Sequence, residues 1–223
     1  TPLGLVSRCF QVTEGLRLLA VHDDCDAEGG KSGYSNAHLQ WMCEQLDKAR
    51  ADGCRVIAME HHLLLHPLCR FINKGQSIGD NLRVASVLAD HGLRLMLVGH
   101  SHMQRTTEFV SENGNKITQI NLGSLTGHPA PVTYLTFHGE NAEIQVEFLR
   151  GFTYNGEKCD AEYLKKHTLG VLFNLLEAGK NDKQDFYEFI LALDALKNSL
   201  KGSEKTIILD ANSALAKILM GLG

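Results

Sequence analysis

Residues 54–60 and 93–98 are short, predominantly apolar runs, and an amphipathic stretch at 80–91 lies between them. Near-continuous apolar strands belong to sheets covered on both faces, and a helical crossover joins parallel neighbours. Such a crossover is right-handed in nearly all cases. Both strands then run the same way and open at the same edge of the sheet. Each run stops at histidine: His61-His62 follows the first, and Gly99-His100-Ser101-His102 follows the second. The carboxyl edge of an open α/β sheet is where ligands bind. Imidazole is the commonest metal ligand, and two imidazoles spaced i, i+2 at the mouth of a strand can turn toward one point. Topology alone therefore brings His61, His100 and His102 to one candidate metal centre. His38, His66, His91, His128, His138 and His167 have no such placement and read as ordinary surface or core residues.

The rest of the chain is organised around that unit. Residues 5–12 and 15–22 read as strands joined at Glu14-Gly15, and residues 23–35, rich in Asp, Gly and Ser, read as a loop. A helix is predicted over 36–51, with Ser35 as N-cap. Its apolar face is Leu39, Met42, Cys43, Leu46 and Ala49, and Gly53 follows its end. The loop 61–79 is long for a compact domain, a length associated with function. Residues 104–111, 116–123, 132–138 and 141–149 read as strands joined by hairpin chemistry at Asn113-Gly114 and Gly139-Glu140-Asn141. The sheet is therefore expected to be mixed. From about residue 157 the apolar spacing turns helical. Leu164, Thr168, Val171, Leu172, Leu175 and Leu176 form one stripe, Phe186, Phe189, Ile190, Leu193, Leu196 and Leu200 another, and a short helix is predicted over 210–221. The predicted class is α/β (α+β), with a main domain over residues 1–152 and a helical extension over 153–223.

Composition narrows the function classes. The chain has 223 residues, 43% of them hydrophobic and 22% charged, the balance of an ordinary globular protein. Its net charge is −4 and its Lys and Arg are scattered, so it lacks the basic field that drives nucleic-acid or anionic-membrane binding. No apolar run approaches the roughly 18 residues that span a bilayer, and no signal-peptide pattern is visible. The chain opens on Thr1 rather than Met, which reads as a processed chain or part of a longer one. Six cysteines without a C-x-x-C pair suggest reduced thiols and a cytoplasmic location.

An apolar strand, His-His, a Leu- and Pro-containing loop, a helix, an apolar strand and Gly-His-x-His, in that order, resemble the C-terminal half of the calcineurin-like metallophosphoesterases. That family includes purple acid phosphatases and cyclic-nucleotide phosphodiesterases. The resemblance covers about residues 5–150. It takes in the strand GLRLLAV, the helix HLQWMCEQLDKARADG and the segment TQINLGSLTGHPAPVTYLTF. It implies part of a mixed-sheet sandwich with a C-terminal helical appendage. It also implies two divalent or trivalent metal ions (Zn, Mn or Fe class) and hydrolysis of phosphomonoesters or phosphodiesters. By resemblance His61 and His100 ligate one metal and His102 the other, while His62 falls where the family varies and is at most a substrate-side residue.

The family's Asp-x-His, Gly-Asp and Gly-Asn-His motifs do not occur before residue 61. Gly79-Asp80 falls after His61, and Asp23, Asp24 and Asp26 lack the accompanying histidine. The expectation is that this chain carries only the His61 and Gly-His-x-His ligands, is inactive alone, and is completed by a missing N-terminal half acting on a phosphate-ester substrate. Two other readings stand beside it. One is a non-catalytic scaffold or protein-binding module, as in the retromer subunit of this fold, with docking or self-association through the C-terminal helices. The other is a mononuclear site in which His61, His100 and His102 hold one ion with an open position.

Overall fold

Six strands build the central sheet in this computed structural model, which describes residues 6–23, 32–67, 75–139 and 141–170. They are β1 (Arg8–Thr13), β2 (Leu16–Ala20), β3 (Arg55–Glu60), β4 (Leu95–Val98), β5 (Arg105–Val110) and β6 (Lys116–Asn121), in the order β1-β2-β3-β4-β6-β5. Strands β2, β3, β4 and β6 are parallel neighbours, while β1 and β5 are antiparallel edges. The sheet is mixed, as the alternation of crossovers and hairpins predicts. Helices α1 (Asn36–Ala51) and α2 (Asn81–Asp90) supply the crossovers β2-α1-β3 and β3-α2-β4. Their parallel partners explain why the short strands are so apolar.

Helix α1 starts where its sequence says it should. The Ser35 hydroxyl accepts from the His38 amide at 3.1 Å, which satisfies one of the free N–H groups at the helix start. The helix ends at Ala51 with Asp52 as C-cap, and the next residue, Gly53, has a φ of 67°, the left-handed conformation that suits a residue without a side chain. Leu39, Met42, Cys43 and Leu46 of α1 and Val84, Ala85 and Leu88 of α2 pack on Leu19, Ala58, Met96, Val98 and Ile117. These residues form the core, on one face of the sheet.

The opposite face is less covered. Leu18, Ile57 and Leu95 form one cross-strand row and Ala20, Met59 and Leu97 the next. These side chains are half-buried, and Met59 is exposed. Strands β7 (Pro131–His138) and β8 (Asn141–Phe148) form a separate antiparallel hairpin.

The chain divides into two units. The first, residues 1–67, 73–126 and 130–149, contains the elements named so far. The second, residues 68–72, 127–129 and 150–223, contains the hairpin of β9 (Gly151–Tyr154) and β10 (Glu157–Asp160) and a helix over 161–170. Helical periodicity from about residue 157 thus misplaces the helix start. Asn155 and Gly156 both have positive φ and turn the chain into a hairpin. Asp160 then accepts from the Tyr163 amide at 2.9 Å, so the helix begins after its own capping residue. The predicted helices beyond residue 170 lie outside the described residues, as do Cys25, Cys69, Asp24 and Asp26.

Candidate metal centre

Parallel pairing sets the ends of β3 and β4 side by side, with Glu60 opposite Val98. The register continues one step into the loops, where the Gly99 amide donates to the His61 carbonyl oxygen at 3.1 Å. The two histidine loops therefore leave the same edge, as the crossover argument requires. His100 Nδ1 lies 2.9 Å from His61 Nε2. The His62 ring centroid is 4.6 Å from that of His100 and 5.1 Å from that of His61. One donor atom from each of the three rings falls within 4.8 Å of the others.

This arrangement fits an ion. Around tetrahedral zinc, with Zn–N of about 2.0–2.1 Å, neighbouring nitrogens lie about 3.4 Å apart. The observed 2.9 Å between His100 and His61 is therefore within about half an ångström of a ligating geometry. Metal binding also requires neutral imidazole. Burial lowers the proton affinity of His100, and the neighbouring His62, His61 and His102 lower it further, against an opposing effect of Asp23.

His102 stands apart from this cluster. It is exposed and belongs to neither group of converging donors among the described residues. His100 and His102 both take left-handed backbone, with φ of 56° and 57°. A residue with a side chain occupies that region only when its surroundings compel it, at a cost of order 1–3 kcal/mol. Here the Ser101 amide donates to the Gly99 carbonyl at 2.6 Å, and Asn121 Nδ2 donates to the Ser101 hydroxyl at 2.7 Å. Gln119 Nε2 in turn donates to Asn121 Oδ1 at 2.6 Å. Gln119 and Asn121 are fully buried on β6, so the loop is tied to the core rather than to solvent.

A second group shares His62. Asp23 Oδ2 lies 2.5 Å from His62 Nδ1, with only 8% of the Asp23 side chain exposed. Glu60, the last residue of β3, completes it: one donor atom each of Asp23, Glu60 and His62 lie within 4.8 Å of one another. Glu60 Oε2 accepts from the Tyr34 hydroxyl, while the buried Oε1 has no hydrogen-bond partner among the described residues. Burial pushes the Glu60 carboxyl up to about 8; the Tyr34 bond opposes this and the nearby Asp23 charge adds to it. The Tyr34 phenol is likewise raised, by burial first and then by Glu60.

Sequence reasoning reached His61 and His100 through topology, set Asp23 aside for want of an accompanying histidine, and passed over Glu60. The available signal was positional. Asp23 follows β2, which is parallel to β3 and so opens at the same edge. Glu60 is a carboxylate at the end of a buried strand. Of the other described histidines, His66, His91 and His138 meet Ser77, Asp47 and Glu143.

No protein-family profile matches the sequence, and no curated protein is similar to it at a significant level. A solved structure does match: a dimetal phosphatase from Danio rerio, 14% identical, with a TM-score of 0.50. The match covers 66% of this chain and 59% of the phosphatase, so the chain spans less than two thirds of that structure's length. At this identity the match concerns the fold alone: a mixed α/β architecture shared with that phosphatase.

Proposed function

We propose that this chain is the Gly-His-x-His-bearing portion of a dinuclear metallophosphoesterase that hydrolyses phosphomonoesters or phosphodiesters. The observation that carries this reading is the convergence of His61 Nε2 and His100 Nδ1 at the carboxyl edge of the sheet. The fold shared with a dimetal phosphatase supports it. On this reading His61 and His100 hold one ion and His102 the other. Two ions of the Zn, Mn or Fe class, when bound, supply Lewis-acid polarisation of a phosphoryl oxygen and activation of water. The chain's own part is to present neutral imidazole and to hold the ligand loops. Asp23, against His62 Nδ1, fixes the orientation of that ring at the substrate side. On this reading the family's remaining carboxylate ligands come from a segment outside these residues.

The test is metal content and hydrolysis of bis-p-nitrophenyl phosphate in the native protein. His61→Ala and His100→Ala each reduce both together; unchanged turnover in both variants rules the assignment out. His102→Ala lowering the metal count from two to one supports the dinuclear site, whereas one ion per chain before the substitution favours the mononuclear alternative.

A second reading, a non-catalytic binding module on the same scaffold, is favoured by the exposed apolar residues Phe10 and Val12 on edge strand β1 and by Met59. Metal binding without hydrolysis in the native protein selects it.

A further inference from the structure

We propose that Asp23, Glu60 and His62 form a divalent-cation site of their own, of the Mn²⁺ type, beside the His61–His100 pair. The proposal goes beyond the phosphoesterase reading, because it requires neither His61, His100 and His102 nor any hydrolysis. Three observations carry it. The donor atoms come from two separate segments, the loop after β2 (Asp23) and the end of β3 with the residues that follow it (Glu60 and His62), yet lie within 4.8 Å of one another. Ligand bonds of about 2.0–2.2 Å allow donors up to about 4.4 Å apart around one ion, so small side-chain rotations close the set. Second, Asp23 and Glu60 are little exposed, and among the described residues neither pairs with Lys or Arg. Two carboxyl groups so placed, without a Lys or Arg partner, can act together as oxygen ligands. Third, Glu60 is 8% exposed, and its buried Oε1 has no hydrogen-bond partner among the described residues. A buried acceptor left unpaired is costly, and a cation held by the three residues would give it a partner.

The ligand chemistry selects the class of ion. Carboxylate oxygens suit Mg²⁺, Ca²⁺ and Mn²⁺, and imidazole suits the transition metals. Two carboxylates with one imidazole meet both conditions in Mn²⁺. The Tyr34 hydroxyl holds Glu60 Oε2 and leaves the other oxygen for the ion.

The test is Mn²⁺ titration of the EDTA-treated chain, read by electron paramagnetic resonance. A His61→Ala/His100→Ala variant is expected to retain one bound Mn²⁺. Adding either Asp23→Asn or Glu60→Gln to it weakens that binding about tenfold or more. Glu60→Gln keeps a group able to bond Tyr34, and Asp23→Asn provides an independent variant should Glu60→Gln fail to fold. Loss of all Mn²⁺ from the double-histidine variant, or unchanged binding in both Asp23→Asn and Glu60→Gln, overturns the proposal. If the double-histidine variant binds as many ions as the parent chain and Asp23→Asn removes one, this site stands and the histidine ligand set of the phosphoesterase reading fails.

Discussion

Gln119 and Leu65 are joined twice: the Leu65 amide donates to Gln119 Oε1 at 2.6 Å, and Gln119 Nε2 donates to the Leu65 carbonyl at 2.9 Å. The Leu64 amide shares the same Oε1 at 2.9 Å. One side chain on β6 thereby fixes the loop that leaves His61-His62, and through Asn121 it also reaches the turn at Ser101. Gln119→Leu keeps the volume and removes the amide, leaving two buried N–H donors without partners. Each costs about 1–3 kcal/mol, so a loss of about 2–6 kcal/mol in urea unfolding is expected. A variant as stable as the parent would show that the bonds contribute little.

Asn121 lies one step further along the same chain of bonds and acts more narrowly. Its Nδ2 holds the Ser101 hydroxyl between two left-handed histidines. Asn121→Ala is expected to release the turn and lower zinc affinity roughly tenfold, with Ser101→Ala changing it in the same direction. Isothermal titration with Zn²⁺ checks both, and unchanged affinities would remove Asn121 from any role in placing His100.

Ligand binding to the folded state alone also predicts a thermal signature. Zinc at about 100 times its dissociation constant stabilises by about 2.7 kcal/mol. Calorimetry in EDTA and in zinc is therefore expected to show a higher Tm with metal. His100→Ala should abolish most of the difference, because it removes one of the two nitrogens that lie 2.9 Å apart. A zinc-dependent Tm rise equal in the parent and the variant would place the bound ion elsewhere.

The sequence makes the histidine pair legible because parallel pairing is a topological consequence of the β-α-β pattern. Once residues 54–60 and 93–98 are parallel neighbours, His61 and Gly99 must leave the same edge. Helix α1 is legible for a local reason, since Ser35 and Gly53 mark its ends with their own chemistry. Asp23 is visible in the sequence but is set aside there, because its histidine partner, His62, is 39 residues away and nothing local marks the contact. The Gln119 clamp was hidden for another reason. A polar residue inside an apolar strand shows its purpose only once its distant partners, Leu64 and Leu65, are in place. The hairpin at 151–160 was masked by the apolar spacing that follows it, although Asn155-Gly156 carries an ordinary turn signal.

Two glycines near the site separate steric need from mere presence in a motif. A Cβ on Gly123 would lie 2.3 Å from Pro131 Cγ and 3.0 Å from Pro131 Cδ. The proline ring is rigid and buried at the start of β7, so it cannot turn aside. The Gly123 amide is also held, donating to Gln104 Oε1 at 3.1 Å. Gly123→Ala must therefore move backbone, at about 1–3 kcal/mol. Gly99 presents the opposite case. A Cβ there would meet His61 Nδ1 at 3.6 Å and the His61 carbonyl oxygen at 3.7 Å, both ordinary contacts. Gly99→Ala is expected to change stability by less than about 1 kcal/mol. Urea unfolding of the two variants side by side checks the ranking. Equal losses, or a larger loss at Gly99, would mean that the Gly99 position is tighter than these distances describe.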